Sequence, residues 1–502
     1  MLTIIILLSI NLRTFASITT ETNTASIIVK EVENDVQAYA YQIIEINYNY
    51  ESDQPQDTLY TWANGIQNWI YINYPDYINI IDCSVTDTFI DEISTSEVAT
   101  NFYSNLTAVL KSEENILTTI SSENVDNTAE YSSDNNESSI IFSNLNMGTY
   151  LIVIENGYKV YSPLTANLVP TYDEESKEWN LNDVTIYAKS TEIDITKVII
   201  ENDEEVDASN YSTSDNIKYE ITSDIPTYGN NSMSTEYIIS DELETGLSLD
   251  TESINIYGIK GSSEELISED AYTLETTNSG FTVNFEYDSI SEYEKIKINY
   301  NANLVQSSLL ILGEEGNANT ASLTYSNNPY SETSLITIDS NEVKVYTYGI
   351  EVLKIDKESK EALPGTEFNL LDEKGDIMYF MFVDGIYYET DSTNTDATST
   401  LITDNDGMLY IYGLDAEEYV LVETKAPDDY LIATDTVYFQ IIDDNLDGII
   451  DDDTDAIYSI EFLNSASFTL PVTGGIGTII FTVSGILFIM AGFIILIFKR
   501  KL

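Results

Sequence analysis

Apolar and polar residues alternate along much of the chain, and this period of two is typical of half-buried β-strands. Strands are predicted over residues 38–50, 148–153 and 184–189. One stretch instead has a helical period, in which five apolar residues share a face: Val98, Phe102, Leu106, Val109 and Leu110. The pattern predicts a mostly β protein in which one short helix packs on a sheet of the first domain.

Both ends of the chain carry apolar segments that lack the strand period. Residues 2–12 are apolar and lead into small residues ending at Ser17, which predicts a secretory signal over residues 1–24. A positive leading segment is missing, so a mature N-terminal strand is the alternative. Residues 476–498 contain no charged residue and precede a basic tail, 499–502. A helix of about 20 apolar residues can cross a bilayer, so this segment is predicted to be a transmembrane helix. Basic flanking residues stay on the cytoplasmic side of the membrane, so most of the chain is expected outside the cell.

Between these ends, frequent Gly, Asn and Ser residues punctuate the strand pattern, which is typical of β-sandwiches. We expect three tandem immunoglobulin-like β-sandwich domains over residues 25–190, 191–346 and 347–466. A short segment, 467–475, joins the last domain to the predicted transmembrane helix.

The second and third domains each place three polar side chains on apolar strand faces, where a charged group needs a partner. Each set has a lysine on the first strand, then a carboxylate, then an asparagine near the end of the domain. They are Lys197, Asp241 and Asn319 in the middle domain, and Lys354, Glu423 and Asn464 in the last. The recurrence of one order in two successive domains points to a shared chemistry.

A buried lysine, carboxylic acid and asparagine can react with each other. Desolvation favours the neutral amine and the protonated acid. The amine can then attack the carboxamide, which the acid polarises, and ammonia leaves behind a Lys–Asn isopeptide bond. Fixed proximity lowers the barrier of such a reaction. Strand phase alone leaves open the alternative of buried ion pairs or of lysines that extend to the domain edge.

Composition excludes several classes of function. The chain has 20 basic and 86 acidic residues, a net charge of −66, which argues against nucleic acid as a partner. It has one cysteine and no histidine, which excludes an intrachain disulfide, histidine-dependent nucleophiles and histidine-ligated metals. Without a cofactor motif, a metal site or a catalytic dyad beyond the two trios, we expect neither a cofactor nor a metal, and we expect a protein that is not an enzyme. A surface enzyme is the disfavoured alternative.

The segment before the apolar helix reads Leu470-Pro471-Val472-Thr473-Gly474. With the helix and the basic tail, it resembles the cell-wall sorting signal of Gram-positive surface proteins. The resemblance implies that the precursor is held in the membrane until a sortase cysteine attacks the Thr473 carbonyl and passes the acyl group to an amine. The protein would then be attached covalently to the cell wall at the cell surface.

Further motifs resemble those of sortase-assembled major pilins. Residues 419–430 are similar to the pilin E-box and depart from it at Asp429, where glycine is usual. Residues 352–368 resemble the start of a collagen-adhesin B-type domain, and residues 316–329 resemble the closing strand of a pilin middle domain. The stretch from Trp179 to Lys189 is similar to the pilin motif, with one extra residue after Trp179 and with Ala188 in place of proline.

The resemblance implies the backbone subunit of a covalent pilus that supports adhesion. In this interpretation Lys354 bonds to Asn464 with Glu423 as catalyst. Likewise, Lys197 bonds to Asn319 with Asp241 as catalyst, and Lys189 is the nucleophile that joins subunits. Asn317 and Asn327 share the strand parity of Asn319, but Asn319 begins the closing strand and Asn317 is expected in the loop before it. No equally clear trio occurs in the first domain, so no bond is expected there.

Four kinds of partner follow from this resemblance: a sortase, other copies of the chain, accessory pilins and peptidoglycan. A wall-anchored adhesin or an accessory pilin is the alternative, because both share the sorting signal and the B-type domain. Lys189 separates the two possibilities, since a backbone subunit needs an acceptor lysine and a tip adhesin does not.

Overall fold

The computed structural model describes residues 24–34, 36–49, 54–112, 119–121, 138–173, 175, 178–229, 232–331, 333–433, 436–442, 449–450, 456–466 and 481–491. Residues 1–23 of the predicted signal, the sorting motif at Leu470–Gly474 and the basic tail lie outside these residues, whereas Thr24 begins the first strand. Residues 481–491 are helical, and the rest of the predicted membrane span also lies outside. Within the described part of the chain, no helix combines the length and the apolar character needed to cross a bilayer.

The described residues from Thr24 to Thr191 form short sheets and three α-helices. The strands are β1 Thr24–Val32, β2 Gln37–Asn49, β3 Gln54–Trp62, β4 Thr119–Ser121, β5 Ser138–Asn146, β6 Gly148–Glu155, β7 Val160–Tyr161, β8 Leu164–Leu168, β9 Thr171–Asp173, β10 Glu178–Asn180, β11 Val184–Tyr187 and β12 Ser190–Thr191. The helices are α1 Gln67–Asn73, α2 Asp87–Glu92 and α3 Ser96–Ser112. One sheet has the order β11-β1-β5 and a second has β3-β2-β6-β8 with β4 beside β2, while β10 pairs with β9 and β12 with β7.

The helix predicted in this region is α3, which buries Phe102, Leu106 and Leu110 as its period requires. Two shorter helices that the sequence pattern did not predict, α1 and α2, precede it. These two helices have 7 and 6 residues, too few for a helical period to show in the sequence. They are held by packing of their aromatic residues, for example Phe89 against Trp62, with ring centroids 4.8 Å apart.

Residues 195–346 form two facing sheets. The strands are β13 Ile195–Glu201, β14 Glu204–Val206, β15 Ala208–Asn210, β16 Ile217–Asp224, β17 Tyr237–Leu243, β18 Leu247–Lys260, β19 Ser263–Leu266, β20 Tyr272–Thr277, β21 Gly280–Phe285, β22 Lys295–Leu304, β23 Asn317–Ser326, β24 Leu335–Asp339 and β25 Val343–Tyr346, with a short helix α4 Tyr287–Ile290. One sheet has the order β14-β13-β16-β22-β18-β19, and the other has β15-β25-β23-β17-β21-β20 with β24 beside β23.

The described residues between Tyr348 and Asn464 form two more sheets. The strands are β26 Tyr348–Asp356, β27 Glu367–Leu371, β28 Tyr379–Val383, β29 Ile386–Thr390, β30 Leu401–Ile402, β31 Met408–Leu414, β32 Glu418–Lys425, β33 Val437–Gln440 and β34 Ile457–Asn464. Their orders are β28-β29-β31-β26-β34 and β30-β27-β32-β33. The first and last strands, β26 and β34, are parallel neighbours. The predicted mostly β architecture of stacked sheets is confirmed.

The chain divides into two compact units. The first comprises the residues up to Ser209 with Asp215–Val305 and Glu315–Val345, and the second combines Asn210–Ser214, Gln306–Glu314 and the chain from Tyr346. Within the second unit, Thr213 is buried, and its hydroxyl donates to the Glu389 carbonyl at 2.9 Å. No local pattern assigns this five-residue segment to the second unit, since only its long-range contacts do so.

Candidate functional site

Lys354 and Asn464 lie on the two parallel strands β26 and β34 and share one face. Lys354 is opposite Phe462 in the register, and Asn464 is two residues further along. Both side chains are buried, as their phase with apolar neighbours predicted. The Lys354 Nζ donates to the Phe462 carbonyl at 3.4 Å and lies 4.9 Å from the centre of its ring. The strand pairing therefore places an amine and a carboxamide in one apolar layer.

Glu423 comes to this pair from the facing sheet, on β32. The Asn464 Nδ2 donates to Glu423 Oε1 at 2.7 Å, and the Ala433 N–H donates to Glu423 Oε2 at 3.0 Å. The Asn464 Oδ1 is buried and has no hydrogen-bond partner among the described residues. The carboxyl group thus contacts the amide nitrogen that would leave if the Asn464 carbonyl carbon were attacked.

Burial changes the protonation of the lysine. Desolvation lowers the pKa of Lys354 to about 8, although the charges of Glu423 and Asp356 act in the opposite direction. At pH 7.4 such an amine is neutral in roughly a fifth of the molecules, against about one in a thousand at the ordinary pKa of 10.5. The site therefore supplies a neutral amine, which is the nucleophilic form of lysine.

The middle region has a second buried trio with a different geometry. Lys197 lies on β13 in one sheet, whereas Asp241 on β17 and Asn319 on β23 lie in the facing sheet. The Lys197 Nζ donates to Asp241 Oδ2 at 2.5 Å, and neither side chain is exposed. Desolvation lowers the pKa of Lys197 to about 8 against the raising effect of Asp241. The amine and the carboxyl group thus come from opposite sheets and meet in the core between them.

The Asn319 amide contacts a residue that sequence reasoning missed. Its Nδ2 donates to the Tyr300 hydroxyl at 2.8 Å, and that hydroxyl donates to Asp241 Oδ2 at 2.6 Å. Tyr300 is on β22, in the same sheet as Lys197, and its ring stacks on Tyr219 with centroids 5.2 Å apart. In the sequence it is one inward-facing tyrosine among 37, so only its contacts distinguish it.

The structure separates the three candidate asparagines. Asn317 was expected in a loop, but it is the first residue of β23, is buried and donates to the Val345 carbonyl at 3.1 Å. The strand extends to Asn317 because it pairs there with β25. The Asn327 Nδ2 donates to the Gly157 carbonyl at 2.8 Å. Of the three, Asn319 is the one that contacts the Tyr300–Asp241 pair.

Lys189 has the opposite environment. It follows β11, an edge strand whose Thr185 and Tyr187 face solvent, and its side chain is exposed. Its backbone is held, because the Ser162 N–H donates to the Lys189 carbonyl at 2.9 Å. The predicted outward presentation is confirmed, although the strand ends two residues before Lys189. The adjacent strand β1 carries a second exposed lysine, Lys30, opposite Tyr187.

Two family models match parts of the chain. Residues 348–455 match the SpaA family, described as a prealbumin-like fold domain. Residues 463–501 match the LPXTG cell wall anchor motif. The first match contains Lys354 and Glu423, and the second contains Asn464 and the Leu470–Gly474 segment. The C-terminal part of the chain is thus a SpaA-type domain followed by a cell wall anchor.

The chain is also similar to a curated surface protein and to solved structures of pilins. The chain is 28% identical over 290 residues to the trypsin-resistant surface T6 protein of Streptococcus pyogenes serotype M6. That alignment covers 54% of this chain and 49% of the relative, so the chain matches about half the length of this relative. It resembles the structure of the T6 backbone pilin of the same serotype with a TM-score of 0.57 and 20% identity, over 84% of this chain and 81% of that one. The full-length major pilin SpaD of Corynebacterium diphtheriae gives a TM-score of 0.48 and 18% identity, over 89% and 98% of the two chains.

Proposed function

We propose that this chain, a cell-wall-anchored surface protein with the fold of a backbone pilin, is the structural backbone subunit of a covalently polymerised pilus. It comprises three successive domains, at 25–190, 191–346 and 347–466. The sheets support this division, since the strands of the first sheets end at Thr191 and those of the last sheets begin at Tyr348. The T6 backbone pilin that the chain resembles is itself described as a modular three-domain structure.

The observation that carries the proposal is the contrast between Lys189 and the two buried lysines. Lys189 is exposed after an edge strand, whereas Lys197 and Lys354 are fully buried beside carboxyl and carboxamide groups. A sortase acyl-enzyme formed at Thr473 needs an amine that it can reach. Lys189 supplies that amine, and repetition of the step joins the C-terminal end of each subunit to the side of the next.

The buried lysines form bonds within the subunit, Lys354 to Asn464 and Lys197 to Asn319. Pulling forces in such a fibre enter at Lys189 and leave at Thr473. The two bonds provide a covalent path that bypasses residues 198–318 and 355–463, so both domains stay folded under tension. A protein with a single cysteine cannot obtain this protection from an intrachain disulfide.

The partners follow from the same chemistry. A sortase cleaves after Thr473, further copies of the chain accept the acyl group, and peptidoglycan accepts it when growth of the fibre ends. Accessory pilins join through the same type of bond. The chain acts on no external substrate, so it is a structural protein whose two internal bonds form without an enzyme. A wall-anchored adhesin or accessory pilin remains the alternative function.

Replacing Lys189 by alanine tests the proposal. Cells that express wild-type protein should give a high-mass ladder on an immunoblot of a wall extract, and Lys189→Ala cells should give only wall-linked monomer. Lys30→Ala is the matched control, because Lys30 is an exposed lysine on the neighbouring strand. A ladder that persists in Lys189→Ala and disappears in Lys30→Ala would move the acceptor to Lys30. A single discrete wall-linked band from wild-type cells would favour the adhesin.

A further inference from the structure

The two buried trios connect their carboxyl group to their amide in different ways. Asn464 donates directly to Glu423 at 2.7 Å. Asn319 instead donates to the Tyr300 hydroxyl at 2.8 Å, and this hydroxyl donates to Asp241 at 2.6 Å. In the middle domain a phenol therefore stands between the acid and the leaving group.

We propose that Tyr300 is a catalytic residue of the Lys197–Asn319 bond, and that its hydroxyl carries a proton from Asp241 to the departing nitrogen of Asn319. This inference rests on the proposed internal bonds. A hydroxyl can accept one hydrogen bond and donate another, so the observed chain can reverse its direction when Asp241 becomes protonated. Because the Tyr300 hydroxyl touches the amide nitrogen itself, it acts on a reacting atom.

The register of the sheets explains why a relay is needed. Asp241 lies opposite Ala321 on β23, and Asn319 lies opposite Leu243, so the acid and the amide are separated by two positions along adjacent strands. Tyr300 comes from the facing sheet, where it lies opposite Tyr219, and it contacts both groups. Its ring also packs edge-on against Phe281, with centroids 5.2 Å apart, which fixes the position of the hydroxyl.

The steps balance in protons and bonds. Lys197 gives one proton to Asp241 across their 2.5 Å contact, which leaves a neutral amine and a carboxylic acid. The amine attacks the Asn319 Cγ and forms the Nζ–Cγ bond. Asp241 then protonates the Tyr300 oxygen while the Tyr300 proton moves to Nδ2, and the Cγ–Nδ2 bond breaks to release ammonia. The new amide nitrogen passes its extra proton to Asp241, and the released ammonia takes that proton up as ammonium. Asp241 thereby returns to the carboxylate and Tyr300 keeps a hydroxyl proton, as at the start.

The surroundings suit this role. Burial, followed by the charge of Asp241, raises the pKa of Tyr300 well above its ordinary value, so the phenol keeps its proton and can donate it. Asn319 Oδ1 and Asp241 Oδ1 are both buried without a hydrogen-bond partner among the described residues. Among the described residues, therefore, no hydrogen bond holds the Asn319 carbonyl oxygen, and Asp241 accepts from Lys197 and Tyr300 through its other oxygen.

The test measures the rate of each bond in the full-length protein in its own cells. Newly made chains are labelled with a heavy-isotope pulse, denatured at intervals and digested, and the cross-linked Lys197–Asn319 peptide is compared with its unlinked form. Tyr300→Phe keeps the ring and removes the hydroxyl. It should slow this bond by about 100-fold or more, the lower end of general acid–base catalysis. The Lys354–Asn464 bond in the same molecules should form at the wild-type rate.

Tyr237→Phe is the matched control. Tyr237 is equally buried in this core, and its hydroxyl donates to Ser223 at 2.8 Å, away from the trio. A rate of bond formation in Tyr300→Phe within about threefold of this control would overturn the relay, since loss of general acid–base catalysis should slow the reaction by about 100-fold or more. If wild-type protein shows no cross-linked peptide at either site, the proposed bonds themselves are wrong. If it shows only the Lys354–Asn464 peptide, the middle-domain bond and Tyr300's role fail together.

A second measurement does not depend on the folding of Tyr300→Phe. Lys197→Met cannot form the bond, and a crystal structure of the full-length variant should show the Tyr300 hydroxyl within hydrogen-bond distance of both Asp241 and Asn319. Direct contact of the Asn319 amide with Asp241 in that crystal would overturn the relay.

Discussion

Replacing Glu423 by glutamine should prevent the Lys354–Asn464 bond and destabilise the C-terminal domain. Glutamine has nearly the shape of glutamate, and its carbonyl oxygen can still accept from the Asn464 Nδ2, as Glu423 Oε1 does at 2.7 Å. It cannot take up and release a proton, so the ammonia has no proton donor. The variant should fold with Lys354 and Asn464 both unmodified.

The magnitude follows from the loop that the bond closes. Positions 354 and 464 differ by 110 residues, and a cross-link across such a loop removes unfolded-state entropy worth about 5 kcal/mol in the chain-entropy model. Glutamine also places a donor against the Ala433 N–H, which now donates to Glu423 Oε2 at 3.0 Å, and this lost contact adds about 1 kcal/mol. For a domain of this size the sum should lower the melting temperature by roughly 15–25 °C.

Two measurements on purified protein check this result. Intact mass should show that wild type has lost two ammonia molecules and that Glu423→Gln has lost one. Calorimetry then gives the change in stability of the C-terminal domain. Glu418→Gln is the control, because Glu418 is exposed on the same strand and should change stability by no more than about 0.5 kcal/mol. A bond that still forms in Glu423→Gln refutes the role of Glu423, and an absent bond with a loss under about 1 kcal/mol refutes the entropic account.

Two further predictions concern pH and anchoring. In Asn319→Ala, which keeps Lys197 as a free amine, stability should rise by about 3 kcal/mol between pH 8 and 10.5, relative to a Lys197→Met/Asn319→Ala double variant. The pKa of Lys197 is about 8 in the folded protein and 10.5 in the unfolded chain, so the unfolded chain binds more protons between these pH values and stability rises with pH. If denaturant titrations show the same stability difference between the two variants at pH 8 and pH 10.5, this prediction is contradicted. Thr473→Ala should leave the protein in the membrane fraction, and release of this variant only by a wall hydrolase would contradict the sorting assignment.

The sequence by itself determined which face of each strand a residue occupies. Lys197, Asp241, Lys354 and Glu423 are buried where their phase with apolar neighbours placed them, and Lys189 is exposed where its phase with Thr185 and Tyr187 placed it. Strand period is a local property, since side chains alternate whatever the partner strand is. The cell wall anchor could also be recognised from the sequence, because its motif, apolar segment and basic tail follow one another along the chain.

Tertiary structure alone decided which strands meet. It put Lys354 and Asn464 on adjacent parallel strands but Lys197 and Asn319 on facing sheets, a difference that two similar sequence patterns conceal. It inserted Tyr300 between Asp241 and Asn319, and it placed Asn210–Ser214 in the second unit. The pairing of β26 with β34 joins residues 108 positions apart, such as Lys354 and Phe462, and the contacts of Tyr300 with Asp241 and Asn319 also join different strands. No local period encodes such contacts, so the partners of a buried side chain become visible only in the folded chain.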